Sequence, residues 1–125
     1  MYDRLSAYAP QALAVLRIVT ALLYLLHGTQ KLFGFPPSQM QPPLMSIFGA
    51  AALIELVAGT LIIIGFFTRP AAFIASGAMA VAYWMVHAPN SLYPSNNGGE
   101  PAILFCFIFL YLVFSGPGAW SVNNK

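Results

Sequence analysis

Ionisable side chains stand in or beside the apolar runs of this chain, where charge is costly and tends to mark function. Arg17, His27 and Lys31 lie in the first run, with Glu55 near the middle of the second, IFGAAALIELVAGTLIIIGFF. His87 closes the third, and Glu100 precedes the fourth. At about 100° per residue, Arg17, Thr20, Tyr24, His27, Gly28 and Lys31 fall within one arc roughly 100° wide. Ser76, Ala80, Tyr83, Trp84 and His87 likewise share a face. Imidazole and carboxyl groups in such a setting relay protons, and with an arginine they hold the polar head of an amphipathic ligand. Phe, Leu and Ile would take its tail. Quinones have this form, and their reduction consumes protons.

Each residue also has a plainer reading. Lys31, near a helix end, could snorkel to the interface. Arg17 sits deeper, about 10 Å into its segment at about 1.5 Å per residue, where a charge costs about 2.5 to 3.5 kcal/mol before any snorkelling. His87 and Trp84 suit an interfacial belt. Glu100 suits the positive end of a helix dipole, with Pro101 at the first helical position. Glu55 reaches neither surface, so it must pair, with Arg17 or a histidine, or carry a proton. Ala51, Ala52, Ala58 and Gly59 flank it and let a neighbouring helix approach closely. Random decoration would scatter these groups around the helices. Convergence of Arg17, Tyr24, His27, Glu55, Tyr83, His87 and Glu100 on one cavity is therefore the expectation, with Arg17 and Glu55 as its buried charge pair. His27, His87 and Glu100 would bind the head group or relay protons.

Other chemistries lack support. No H-x-x-x-H or E-x-x-H spacing falls within a helix, so no metal site is expected. No phosphate loop or nucleophile elbow occurs. Cys106 stands alone and cannot form an internal disulfide or a C-x-x-C pair. With no redox centre in the chain and no tightly bound cofactor expected, electrons would have to come from a soluble or membrane partner.

The elements that position these residues follow from composition. Of 125 residues 59% are hydrophobic and 6% charged, against about 25% charged in soluble domains. A mean hydropathy of +0.76 points the same way. The reading is one integral membrane domain, 1–125: an all-α bundle of four transmembrane helices at about 11–33, 44–67, 70–88 and 100–116. The last is short of the roughly 20 residues that a span requires. No alternating pattern suggests a barrel, and Arg17 interrupts any signal-peptide core. A net charge of +2 is too small for nucleic-acid binding. Prolines punctuate the loops FPPSQMQPP (35–43) and APNSLYPSNNGG (88–99), while FTRP makes a tight hairpin between the second and third helices. Arg4, Arg69 and Lys125 share one side against Lys31 on the other, so both termini are expected in the cytoplasm.

LRIVTALLYLLHGTQKLFGF, IELVAGTLIIIGFFTRPAA, AMAVAYWMVHAP, GGEPAILF and SGPGAWSVN resemble the DoxX family of small four-helix prokaryotic membrane proteins. The most telling motif joins Arg17 to His27, Gly28 and Lys31 ten and more residues on, with the glutamate of ELVAG and the GPG tail. The resemblance implies a place in the prokaryotic plasma membrane. Some members belong to thiosulfate:quinone oxidoreductases, others to membrane redox complexes that handle oxidative stress, and the family's polar positions map onto Arg17, His27, Lys31, Glu55, His87 and Glu100. Two classes of function are thereby expected. One is the membrane subunit of a quinone-linked oxidoreductase. The other is a non-catalytic binder or transporter of a small amphipathic or anionic molecule, or an assembly subunit, homo-oligomeric or within a larger complex.

Overall fold

The computed structural model describes residues 2–33 and 47–125, and of residues 2, 3, 31, 47 and 48 the backbone only. The proline-rich loop 35–43, the expected helix start at 44–46 and the side chain of Lys31 lie outside the described residues. After a short α1 (Tyr2–Ser6) come α2 (Ala9–Phe33), α3 (Ile47–Ile64) and α4 (Thr68–Ala82). The chain runs on from α4 through a wide π turn, Tyr83–His87, and a 3-10 turn, Ala88–Asn90. A short α5 (Pro94–Asn97) then leads into α6 (Glu100–Ser115). Among the described residues there are helices and no strands.

The boundaries have local causes. Pro10 and Pro70 sit in first turns, where the missing N–H has no intrahelical partner to lose. The second helix ends at Ile64 instead of 67, because Gly65 and Phe67 adopt left-handed backbone angles, φ +73° and 49°. At Gly65 only a glycine fits: an added Cβ would lie 2.3 Å from Cβ of Ser121. That turn reverses the chain in three residues and sets α3 beside α4. The third helix begins earlier than expected, at Thr68.

α2 packs on α3, α4 on α6, and α3 against α4 joins the two pairs. Ala58, Ala71, Ala72 and Ala75 are buried between them, and their small side chains allow close approach. Tyr24 bridges to α6, with its ring 5.0 Å from that of Phe109 in an edge-on contact. Ser76 Oγ donates to the Cys106 carbonyl at 2.7 Å and ties α4 to α6.

The distribution of polarity is the reverse of that in a water-soluble bundle. Arg17, Thr20, Glu55 and Ser76 are buried, while Val19, Leu23, Val57, Phe73, Phe107 and Phe114 are exposed. Such a surface is at home in hydrocarbon. Ala9–Gln30 and Thr68–Asn90 are long and apolar enough to cross a membrane, whereas Gly49–Ile64 and Glu100–Ser115 are apolar but shorter.

At Gly28 an added Cβ would lie 3.0 Å from both the Ala52 carbonyl oxygen and Glu55 Cβ. Replacing Gly28 with valine therefore pushes α2 off α3, and the overpacking cost of about 1–3 kcal/mol should appear as a lower unfolding temperature in micelles. An unchanged melting curve would mean that this crossing is not tight.

Candidate functional site

The polar interior has two separate centres. One, at the end of the bundle where the tail folds back (taken as the inner end), is Arg17, fully buried on α2. Its guanidinium donates to the carbonyls of Pro117, Ala119 (3.0 Å) and Trp120 (2.8 Å), with a longer contact to that of Ile63. The first three oxygens come from residues 116–125, which fold back across the inner ends of the helices. Ala119 N–H donates to Pro10 O, Val122 to Ile64 O and Asn123 to Gly65 O. Asn123 Oδ1 in return accepts from the backbone N–H of Phe67. Beside them the Arg69 guanidinium donates to the carbonyls of Val113 and Phe114, answering the open acceptors at the end of α6.

This corrects the expected pairing of Arg17 with Glu55. The guanidinium lies level with Ile63, and Glu55 is two turns earlier in α3, about 12 Å away at about 1.5 Å per residue. Main-chain oxygens, which no sequence pattern advertises, take the place of the carboxylate.

The outer centre is a cavity of about 820 Å³. Its polar wall is formed by Tyr24, His27 and Gln30 from α2, Glu55 from α3 and His87 from the π turn, with Phe105 of α6 among the apolar lining. Tyr24 and Glu55 are buried at depth, and His27 is exposed toward the opening. The His27 and Phe105 rings meet edge-on at 5.8 Å, and Tyr24 meets Phe105 at 5.7 Å. Tyr24 Oη is buried, and among the described residues it has no hydrogen-bond partner. A phenol in that state, next to a carboxyl and an imidazole, presents an open donor to whatever occupies the cavity.

Of the residues singled out by spacing, Tyr24, His27, Glu55 and His87 therefore come together. Tyr83 and Glu100 do not line the cavity. Glu100 is exposed in the first turn of α6, where its charge faces the helix dipole. Tyr83 belongs to a latch around Asn97, a buried residue that spacing did not single out. Asn97 Nδ2 donates to Tyr83 Oη (3.2 Å) and to Ser91 O (3.1 Å), and its Oδ1 accepts from Gly99 N–H at 2.8 Å. His87 Nδ1 lies 3.1 Å from Asn97 O, so the latch also orients that imidazole. Gly99 is required there, since a Cβ would come within 2.5 Å of the Tyr83 ring. The Asn-Gly-Gly sequence of 97–99 was the available signal, because Gly98 takes φ +72°. Trp84 and Tyr111 are exposed among the outer apolar side chains. No group of three or more His, Cys, Asp or Glu placed to hold a metal occurs among the described residues.

An inverted polarity, a buried arginine and a cavity with a polar wall inside an apolar bundle define a helical membrane protein. The DoxX family model matches residues 12–88, and the chain belongs to that family. It is 44% identical to an uncharacterized protein of Haemophilus influenzae over 98% of this chain and 96% of that one. It is 28% identical to the inner membrane protein YphA of Escherichia coli, over 99% and 96% of the two chains. With the uncharacterized membrane protein Rv3486 of Mycobacterium tuberculosis the identity is 24%, over 97% and 85%. No solved structure gives a significant match.

The arrangement around Arg17 predicts that Arg17→Met releases the tail. Leaving buried carbonyls unanswered costs about 1–3 kcal/mol each, so the unfolding temperature should fall and proteinase K should digest residues 116–125 from the folded protein. A tail as resistant as in the wild type would show that Arg17 does not hold it.

Proposed function

We propose that the outer cavity binds the head group of a quinone and that the protein is the membrane subunit of a quinone-linked oxidoreductase. In this reading all four long helices span the plasma membrane as one bundle, both termini lie in the cytoplasm, and the cavity sits in the outer half. The charges of Arg4, Arg69 and Lys125 on one side support that orientation. The shorter α3 and α6 span by local thinning of the bilayer around them.

The observation that carries the reading is the orphaned Tyr24 hydroxyl at the bottom of a largely apolar cavity. A quinone carbonyl oxygen is the acceptor it lacks. Conversion of the quinone to a quinol takes two electrons and two protons. The electrons would be delivered by a redox partner protein, and the protons by Glu55, His27 and His87, the titratable groups in the wall. Arg17 has no part in this chemistry. It holds the inner end closed, which also weighs against a continuous path for a transported solute. A ligand bound without reduction is the second reading, which needs only the open Tyr24 donor and the largely apolar lining.

Binding of a soluble benzoquinone to protein in lipid nanodiscs, measured by calorimetry, tests the site. Tyr24→Phe removes one hydrogen bond, about 0.5–1.5 kcal/mol, and should weaken binding roughly two- to twelvefold with little change in fold stability. Equal affinity of the two proteins would remove the hydroxyl from the site. Quinol formation on adding a reduced partner then separates catalysis from binding alone.

A further inference from the structure

The cavity does not end at its polar wall. It continues between α3 and α4, where Ala50, Gly77 and Val81 are exposed along its margin. Gly77 leaves this margin open: a Cβ built there meets nothing within 4 Å. Directly inward lies a second hollow of about 260 Å³ between the same two helices, lined by side chains that include Leu53, Val57, Leu61 and Ala71. Ile54 and Ile74 line both spaces, so the two lie side by side with these side chains between them. The inner hollow is wholly apolar, and its rim residues Leu53, Val57 and Ile74 are more than half exposed on the outer surface of the bundle. From Leu53 to Leu61 it runs about 12 Å along α3, roughly the length of a ten-carbon chain.

A pocket with a polar wall, an open margin at Gly77 and an apolar groove directly beside it has the shape of an amphipathic molecule lying in the bilayer. Water-borne ligands would find no use for the inner part. We propose that the groove between α3 and α4 holds the hydrocarbon tail of the cavity's ligand, which enters laterally from the membrane past Gly77. This rests on the reading of the cavity as a head-group site. It adds that the substrate class is a lipid-soluble, tailed quinone and that specificity for the tail resides in α3 and α4.

The test uses the full chain in nanodiscs and compares a tail-less benzoquinone with the same head carrying a ten-carbon tail. Wild type should bind the tailed compound at least tenfold more tightly. Val57→Trp, which fills the groove from its exposed rim, should abolish most of that gain and leave tail-less binding unchanged. Gly77→Leu, which has open space to occupy and gains helix propensity, should slow association of the tailed compound. Partitioning of the tail into the disc is common to all three proteins and cancels in the comparison. If the tail-less head binds but the tail adds no more in wild type than in Val57→Trp, the groove is not a tail site and the head-site reading survives. If neither compound binds, both fall.

Discussion

A guanidinium with no surface exposed must be surrounded by oxygen, and in this protein the oxygen comes from the chain's own tail. Arg17 lies inside a bundle whose outer face is hydrocarbon, so it is stable there only because the carbonyls of Pro117, Ala119 and Trp120 turn toward it. The carbonyls, for their part, belong to a non-helical segment, which membrane-depth backbone tolerates only when protein satisfies it. Charge and irregular chain therefore each remove the other's penalty. The tail meets the start of α2, the end of α3 and the turn into α4, so one interaction clamps the inner ends of three helices.

With the inner end clamped, the room in the bundle lies in the outer half. Near the tight turn at Gly65 the alanines of α3 and α4 are buried against one another. Farther out, Ala51, Glu55, Gly77 and Ala78 face a hollow instead. The latch made by Asn97 then fixes Tyr83, Ser91 and Gly99 relative to one another and holds the His87 ring at the end of the π turn. The proposed ligand, a molecule dissolved in the bilayer, would bring an apolar tail to Leu53 and Val57 and a polar head to Tyr24.

Much of this was legible from periodicity. Four apolar runs and a helical period of 3.6 place Tyr24, His27 and Glu55 on facing stripes, and the cavity is where those stripes meet. What periodicity cannot register is the main chain as an acceptor. SGPGAWSVN contains no acid to suggest a partner for Arg17, and the intrahelical acid that the sequence does offer, Glu55, lies two turns off. Helix ends were misjudged where left-handed residues intervene, at Gly65 and Phe67, since hydropathy continues through Phe66 and Phe67 without a break. Tyr83 was assigned to the cavity by an α-helical period that the π turn does not keep. Asn97 is not marked by spacing because a polar residue between prolines and glycines reads as loop, whereas two of its three side-chain hydrogen bonds depend on groups six and fourteen residues away.

The account turns on the tail's being seated on the bundle in the membrane. Hydrogen–deuterium exchange of the wild-type protein in nanodiscs reads this directly at three amides, Ala119, Val122 and Asn123, which donate to Pro10, Ile64 and Gly65. Those amides should exchange far more slowly than in an unstructured peptide of the same sequence. Exchange at the unstructured rate would mean that the tail is not docked, that Arg17 is satisfied by other means, and that the cavity is not closed from within.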